Sequence, residues 1–343
     1  MQVDMLENPP SSQESVQAID RRLCVAPMMD WTDRHCRYVH RLYAPHALLY
    51  TEMIVSAAIV RGNAARLLAH DAAEHPVALQ LGGADPLELA AAARIGEAAG
   101  FDEINLNVGC PSDRVKSGSF GACLMLRPKL VAECVERMRE STQLPVTVKC
   151  RIGVDARDDY EFFSDFAAVV ARAGVAALIV HARAAILAGL SPKENREIPP
   201  LKYDYVYRLK RDHPDLPVVL NGGVGEVGAV RAHLAAGLDG VMLGRGAYHR
   251  PALLAEFERA LIDPAWCVPQ PWQVMERIVP YARAQAQRGV RLHSITRHLH
   301  GLMAGCAGAR AWRRFLSDVA SRPDAAPESL FSALSSLEKG VAA

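Results

Sequence analysis

A cysteine between a glycine and a proline is the residue of this sequence best placed for chemistry. Cys110 follows an apolar run directly, in the segment NVGCPS. A thiol can donate or accept a proton, and a loop at the end of a strand is a poor place for a merely buried cysteine. We therefore predict that Cys110 is a catalytic acid or base. Cys123 is its rival, but apolar neighbours favour packing there, and the Gly-rich segment 116–122 is typical of a mobile lid.

Two basic side chains and an amide also close apolar runs, namely Lys149, His181 and Gln80. A cation in such a position can lie beside a flavin ring and stabilise the negative charge that the ring gains on reduction. A glutamine can hydrogen-bond the edge of the same ring. A single histidine of this kind is more often a hydrogen-bonded core residue, but its occurrence with other polar strand ends favours a functional role for His181.

Two glycine-containing segments have the composition of phosphate-binding loops. Asn221, Gly222 and Gly223 follow one apolar run, and Gly244 and Arg245 follow the next. Glycine lets backbone N–H groups approach an anion, and a helix N-terminus adds a favourable dipole. The GxGxxG pattern that begins at Gly223 also occurs in dinucleotide-binding folds, but only a barrel, whose last two loops bind phosphate, accounts for the second segment. Two tight turns that merely need glycine are the simpler alternative.

The apolar runs before these residues alternate with helical patterns, and there are eight of them. Crossover helices between strands predict a parallel sheet, and eight strands close a (β/α)8, or TIM, barrel, whose functional residues lie at the C-terminal strand ends. An open doubly wound sheet would usually have fewer strands. The predicted strands are residues 23–28, 47–53, 76–81, 102–108, 145–151, 177–181, 217–221 and 240–244, and the main helices are residues 86–99, 128–141, 160–173, 205–211 and 227–236.

The pattern changes near residue 257, where the strand signals end. Residues 263–272 are rich in Pro and Trp and are typical of a linker, and the sequence beyond them is helical. We predict a flexible tail at 1–20, a catalytic α/β barrel at 21–256 and a small all-α helical domain at 257–343.

Composition excludes several classes of protein. The chain has 343 residues, half of them hydrophobic, and a net charge of +1, so that only a local patch can favour nucleic acid. Its eight cysteines include no CxxC pair, which indicates reduced thiols in a cytoplasmic protein without zinc or another metal. The polar N-terminus is neither a signal peptide nor an anchor, and no apolar stretch can span a membrane. We expect a monomer.

The arginine-rich segment, residues 277–314, contains eight arginines and three histidines but no Asp or Glu. A solvated helix face normally carries both signs of charge, so this segment predicts a phosphate-binding surface. Arg310, Arg313 and Arg314, beside Trp312, can grip phosphates or stack on a splayed base.

A second basic cluster, Lys193, Asn195 and Arg196, follows the sixth predicted strand, on the same rim as Cys110. Together the two regions predict a polyanion held across the barrel mouth. The alternative is a basic interface for an acidic protein.

Long motifs then carry a resemblance to a known family. They are APMMDWTDRHCRY (26–38), LLYTEM (48–53), HPVALQLGG (75–83), DEINLNVGCPSDRV (102–115), GACLM (121–125), LSPKENREIPPL (190–201), ITRH (295–298) and GARAWRR (308–314). The chain resembles the tRNA-dihydrouridine synthases, most closely their A type, over residues 23–317. One departure is Gly246, where many relatives carry Glu.

The resemblance implies an FMN-bearing barrel, a helical tRNA-recognition domain, NADPH as reductant and reduction of D-loop uridines at positions 20 and 20a. It assigns FMN binding to Pro27, Met28, Met29, Gln80, Lys149, His181, Asn221, Gly222, Gly223, Gly244 and Arg245. It assigns tRNA contacts to Asn107, Lys193, Arg196, Arg310 and Arg313. A flipped-out uridine would take a hydride at carbon 6 and a proton from Cys110 at carbon 5, with Lys149, Asn107 and Arg183 as candidates to stabilise negative charge on uracil.

Two other functions remain open on the residues alone. A barrel flavoprotein acting on a small molecule, such as a dihydroorotate-type dehydrogenase, would share the phosphate loops but has no use for the arginine-rich segment. An RNA-binding or chaperone protein on a degenerate barrel would keep the arginines but need neither Lys149 nor Cys110.

Overall fold

The computed structural model describes residues 19–112, 118, 120–320, 322 and 325–330. Most of the predicted tail and much of the predicted lid, including Lys116, lie outside these residues.

Eight parallel strands close into a barrel, which confirms the predicted TIM-barrel fold. Each strand pairs with its neighbours in chain order, and the ring closes where β1 pairs with both β2 and β9. The strands are β1 (Leu23–Val25), β2 (Leu48–Tyr50), β3 (Ile54–Val55), β4 (Val77–Gly82), β5 (Glu103–Val108), β6 (Val146–Arg151), β7 (Leu178–His181), β8 (Val218–Asn221) and β9 (Gly240–Leu243). The strand predicted at 47–53 is shorter in the structure, and β3, which was not predicted, lies beside the end of β4 outside the ring.

Helices connect the strands and surround the barrel. They are α1 (Arg34–Tyr43), α2 (Ser56–Arg61), α3 (Ala64–Leu67), α4 (Pro86–Ala98), α5 (Pro128–Ser141), α6 (Tyr160–Arg172), α7 (Tyr203–Asp212), α8 (Val227–Ala235), α9 (Arg245–His249), α10 (Ala252–Leu261), α11 (Pro271–Gln287), α12 (His293–Thr296) and α13 (Ala309–Ala320). Short 3-10 helices cover Ala72–Glu74, Gly121–Leu126 and Glu194–Arg196.

Local sequence signals explain where these helices begin and end. The Asp33, Asp85 and Asp159 side chains accept hydrogen bonds from backbone N–H groups at the starts of α1, α4 and α6. Gly100, Gly174 and Gly237 follow the ends of α4, α6 and α8, and all three have positive φ angles. Together these signals set the lengths of the helices between strands.

Alternation along the strands separates two apolar layers. One face of each strand packs against the surrounding helices in a large core. The other faces the barrel axis, where a smaller apolar cluster forms. This cluster consists of Cys24, Ala26, Leu48, Tyr50, Ala78, Ile179, Val219 and Met242. The rest of the axis is lined by polar side chains from β4, β5 and β6.

Beyond β9, the described residues form helices and loops without further strands. Helix α11 packs on α1, where Tyr281 stacks on Tyr38 with 3.8 Å between ring centroids. The Trp266 indole donates a hydrogen bond to the Tyr43 carbonyl. The division predicted at residue 257 stays a prediction, and that position lies within α10. Within the described part of the chain, no helix has both the length and the apolar character that crossing a bilayer requires.

Candidate active site

A cavity of about 1750 Å³ opens at the C-terminal ends of the barrel strands. Every residue predicted to bind a cofactor lines it, together with the predicted catalytic cysteine. The predicted residues brought together here are Pro27, Met28, Met29, Gln80, Asn107, Cys110, Lys149, His181, Arg196, Asn221, Gly222, Gly223, Gly244 and Arg245. Their individual roles stay predictions, but all of these residues line the same cavity.

Cys110 is held at this cavity through hydrogen bonds to its own backbone and to that of Gly109. The Oδ1 atom of Asn107 accepts from the backbone N–H groups of Gly109 and Cys110, at 3.2 and 3.0 Å. The Arg151 Nε atom donates to the carbonyl of Gly109 at 3.0 Å. The thiol itself lies 3.4 Å from the Ser112 hydroxyl, to which it can donate. The loop thus presents the thiol from a fixed backbone.

Cys123, the rival cysteine, is not among the residues that line the cavity. Its thiol donates to the Phe120 carbonyl at 3.0 Å, and burial raises its pKa. Its placement agrees with the packing role favoured by the sequence.

Lys149 brings a positive charge to the cavity wall. Its ammonium donates to Oδ1 of Asn221 at 3.0 Å, and no carboxylate of the described residues lies within ion-pair distance of it. Burial, reinforced by the neighbouring Arg151 charge, lowers the pKa of Lys149 to about 8. A cation without a counter-ion at a cavity wall favours an anionic ligand.

His181 differs from the sequence prediction in its charge. It was expected as a cation beside a ring, but burial lowers its pKa well below the ordinary value, and Arg151 and Lys149 lower it further. The imidazole is therefore neutral near pH 7, because its burial, and after it the two neighbouring cations, disfavour a further positive charge. A neutral ring offers one N–H donor and one acceptor.

The loop after β8 requires its two glycines. Gly222 and Gly223 have φ angles of +102° and +70°. A β-carbon on Gly222 would lie 2.6 Å from Cδ2 of His181, and one on Gly223 would lie 2.4 Å from the Tyr203 hydroxyl oxygen. The backbone can thus approach a ligand closely here, beside the first turn of α8.

The last glycine of the GxGxxG pattern, Gly228, does not behave as it does in dinucleotide-binding folds. There the third glycine allows a helix to pack closely on a strand. A β-carbon on Gly228 would meet no atom within 4 Å. This openness, with the closed barrel, rules against the open-sheet interpretation of the motif.

Sequence reasoning gave no role to Arg151, which the structure makes central. Besides the Gly109 carbonyl, it donates to the carbonyls of Ala184 and Asn195, each at 2.9 Å. It therefore joins the Cys110 loop to the loop after β7. Arg183, a predicted stabiliser of negative charge on the substrate, does not line the cavity and donates instead to the Pro199 carbonyl. A sequence signal for Arg151 was available, because Arg151 is the last residue of its strand and lies two positions after Lys149.

Across the described ranges, no group of three or more His, Cys, Asp or Glu side chains is arranged to hold a metal ion.

Comparison with known proteins assigns this barrel to a family. The family described as Dihydrouridine synthase (Dus) matches residues 24–338. The chain belongs to the dihydrouridine synthase family. This confirms the resemblance found in the sequence.

Two relatives show how close the match is. The chain is 57% identical over 304 residues to the tRNA-dihydrouridine(20/20a) synthase of Xanthomonas campestris pv. campestris, which covers 89% of this chain and 90% of that protein. It is 54% identical over 297 residues to the tRNA-dihydrouridine(20/20a) synthase of Pseudomonas putida, over 87% and 88% of the two chains. A solved 2-naphthoyl-CoA reductase superposes with a TM-score of 0.53 at 11% identity, over 68% of this chain and 49% of its own, a likeness of fold alone.

The four basic residues predicted to contact tRNA lie in three places on this Dus-family chain. Arg196 is exposed and lines the main cavity, whereas Lys193, also exposed, lies outside it. Arg313 lines a second hollow of about 260 Å³, which shares His249 with the main cavity. Arg310 is exposed on α13 and lines neither. The hollow thus continues the cavity toward α13.

Part of the arginine-rich segment is engaged within the protein. Arg283 pairs with Glu328, and Arg297 pairs with Asp33, in both cases through acids outside the segment. Trp312 is fully buried and donates to the Leu299 carbonyl at 2.9 Å. Although Trp312 neighbours Arg313 in the sequence, it is therefore a core residue that anchors α13.

Proposed function

We propose that this chain is a tRNA-dihydrouridine synthase that reduces the 5,6-double bond of D-loop uridine at position 20 or 20a, with FMN as cofactor and NADPH as reductant. The observation that carries the proposal is that Cys110, Lys149 and His181 line one cavity at the barrel mouth. The relatives' names supply the substrate. A cytoplasmic monomer acting on tRNA is the proposed form.

The cavity wall suits the anionic and hydrogen-bonding groups of FMN. Asn221, Gly222 and Gly223, with Gly244 and Arg245, would hold the phosphate, because their backbone can come close to an anion. Asn221 also orients Lys149, whose ammonium meets no carboxylate of the described part of the chain and so favours negative charge in the cavity. Bound FMN would supply the hydride that the uracil ring receives.

Cys110 would supply the proton that completes the reduction. Delivery of hydride to carbon 6 of uracil leaves electron density on carbon 5 and the adjacent carbonyl oxygen. The thiol of Cys110 would protonate carbon 5, and Lys149 with Asn107 would stabilise the developing negative charge. Arg151 and Asn107 hold the backbone of the cysteine loop during this step.

The tRNA would lie from the cavity to α13. Arg196 at the cavity edge, Lys193 beside it, and Arg313 and Arg310 on the far side would contact phosphates on either side of the extruded nucleotide. The second hollow, which connects Arg313 to the cavity through His249, supports this path.

The test is dihydrouridine itself. In a strain that lacks this gene, mass spectrometry of tRNA should show uridine at positions 20 and 20a, and wild-type protein should restore dihydrouridine. A Cys110→Ala variant should keep flavin absorbance and tRNA affinity but fail to restore it, whereas Cys123→Ala should restore it. Dihydrouridine at both positions in the deletion strain, or a colourless protein that does not bind FMN, contradicts the proposal.

A further inference from the structure

A row of polar side chains runs through the centre of the barrel, from the cavity floor toward the opposite end. On β5, Glu103, Asn105 and Asn107 alternate with apolar residues and so all face the barrel axis. Gln80 on β4 and Thr147 on β6 lie beside them in register. Four of the five are at most 1% exposed, and Asn107 at the cavity is 8% exposed. Polar groups buried this deeply require partners.

These side chains are joined by consecutive hydrogen bonds. Asn107 donates to Oε1 of Gln80 at 2.8 Å, and Gln80 donates to Oδ1 of Asn105 at 2.7 Å. Asn105 donates to the Thr147 hydroxyl at 2.9 Å, and that hydroxyl donates to Oε1 of Glu103 at 2.5 Å. Every donor in this amide chain points away from the cavity and toward Glu103.

Glu103 fixes that direction because a carboxylate only accepts. Arg21 donates to Oε2 through two nitrogens, at 3.0 and 2.6 Å, and the Tyr50 hydroxyl donates to Oε1 at 2.7 Å. Burial and Glu103 raise the pKa of Tyr50, which keeps it a donor. The Thr147 hydroxyl donates its one hydrogen to Glu103, so it can only accept from Asn105.

The cavity end of the chain agrees independently with this direction. The Oδ1 atom of Asn107 accepts from the backbone N–H groups of Gly109 and Cys110, which can only donate. Its amide nitrogen is therefore the atom left for Gln80. A carboxylate at one end and two backbone N–H groups at the other thus permit a single orientation of every amide between them.

We propose that Glu103 is a positioning residue that acts through Thr147 and Asn105 to hold the Gln80 and Asn107 amides in the one orientation that the backbone N–H groups at the cavity also require. This inference rests on the proposed function insofar as Gln80 would meet the flavin. It also extends to Cys110, whose backbone Asn107 holds. Glu103 itself lies too deep in the barrel to touch a ligand of the cavity and is not a catalytic residue.

The test breaks the chain at two points and spares it at a third. Thr147→Val and Asn105→Leu each remove one residue of the chain, with its two hydrogen bonds and little change in volume, and Thr147→Ser retains the hydroxyl. Tyr50→Phe is the matched control, because it removes a buried donor to Glu103 but leaves the amide chain intact. Flavin-free protein is titrated with FMN by fluorescence quenching. Alkylation of Cys110 by iodoacetamide is followed by peptide mass spectrometry, which separates it from the exposed Cys267 and Cys306.

In both broken variants we expect FMN affinity to fall about tenfold and the rate of Cys110 alkylation to change, since a buried hydrogen bond is worth about that factor. Thr147→Ser should recover both properties, and Tyr50→Phe should lower the melting temperature while leaving both unchanged. Because the links act in series, the double variant Thr147→Val with Asn105→Leu should bind FMN no worse than the weaker single variant.

Wild-type FMN affinity and alkylation rate in a folded Thr147→Val protein would overturn the inference. So would equal losses in Tyr50→Phe, which would indicate a general effect of stability. If Thr147→Val does not fold, Asn105→Leu and the Thr147→Ser comparison decide in the same way. The two readouts need no tRNA, so failure of uridine reduction in the wild type would contradict the proposed function while leaving this inference standing.

Discussion

Lys149 on β6 donates a hydrogen bond to Oδ1 of Asn221 on β8, although β7 lies between the two strands. The contact bridges β7, whose last residue, His181, pairs with Arg151 on one side and with Asn221 on the other. Asn221 is fixed in turn, because its amide nitrogen donates to the Met242 carbonyl at 2.8 Å. The position of the ammonium thus depends on strands β6, β8 and β9.

The lowered pKa of Lys149, about 8, predicts a pH dependence of FMN binding. Below this value the ammonium is charged and attracts an anion, and above it the charge is lost. We expect FMN affinity, measured by fluorescence quenching, to fall as the pH rises from 7 through about 8 to 9. Lys149→Met should bind weakly throughout, without this step, and the exposed-lysine control Lys129→Met should behave as wild type. A Lys149→Met protein that keeps the step would assign it to another group.

The positive φ angle of Gly222 and its closeness to His181 predict a second effect, which concerns the geometry of the site. An alanine there would need a φ of +102° and would place its β-carbon 2.6 Å from the His181 ring. We expect Gly222→Ala to lose about 1–3 kcal/mol of stability through backbone strain, and to weaken FMN binding because His181 must move. Thermal denaturation and FMN titration measure the two effects.

Gly228→Ala is the matched control for that experiment, because its β-carbon would meet no atom within 4 Å and α8 favours alanine over glycine. Equal losses in the two variants would show that the close approach of Gly222 to His181 has no special importance.

The barrel was predictable because its strands are buried on both sides and its helices carry capping signals. The runs that contain Ile104 or Val148 are short and are followed by helical patterns, and the same alternation along the chain is enough to count eight strands. The small strand β3 was not predicted, because two residues beside the end of β4 leave no periodic signal. The polar residues at the strand ends predicted where the cavity lies, since parallel strands bring their C-terminal ends together.

Charge states and long-range partners were not predictable from the sequence. The neutrality of His181 depends first on its burial and then on Arg151 and Lys149, which come close only in the folded barrel. Glu103 begins its strand beside Asp102, and such a pair would ordinarily be placed at a solvated edge. Only the structure shows that Arg21, 82 positions away, meets its carboxylate inside the barrel.

Arg310 and Arg313 predict a salt-dependent contribution to tRNA binding. Both are exposed on α13, and Arg313 lines the hollow beside the cavity. Replacing both with alanine should weaken tRNA binding and lower the slope of log affinity against log salt by about 1–2, since each phosphate contact contributes about 0.7–0.9. FMN affinity should not change. The control pair Arg137→Ala with Arg172→Ala, exposed on α5 and α6, should leave the slope as it is, and an unchanged slope in the α13 pair would remove that helix from tRNA recognition.

Asp33 predicts how firmly the C-terminal helices are attached to the barrel. Its Oδ2 accepts from Arg297 at 2.7 Å, and its Oδ1 lies 3.0 Å from Nε2 of His298 and caps α1. Burial alone would raise the pKa of this carboxyl, but the hydrogen bonds from His298, from the α1 backbone and from Arg297 hold it well below its usual range. Its charge therefore stabilises the folded protein above the unfolded value of about 4, and this stabilisation is lost as the pH falls toward the folded value.

Asp33→Asn keeps a cap for α1 but removes the charge that Arg297 meets. We expect it to destabilise the protein by about 1–2 kcal/mol at pH 7, and to speed amide hydrogen exchange in α11 and α12, because the partly buried, hydrogen-bonded carboxylate partner of Arg297 is lost. The difference from wild type should shrink below about pH 4, where the wild-type carboxyl has begun to lose its advantage over the unfolded state. Asp159→Asn is the control and should have a smaller effect at every pH, because Asp159 caps α6 and forms no ion pair with the residues that the structure describes. Exchange in α11 and α12 that stays at wild-type rates in Asp33→Asn would mean that the aromatic contact between Tyr38 and Tyr281 holds the helices without the ion pair.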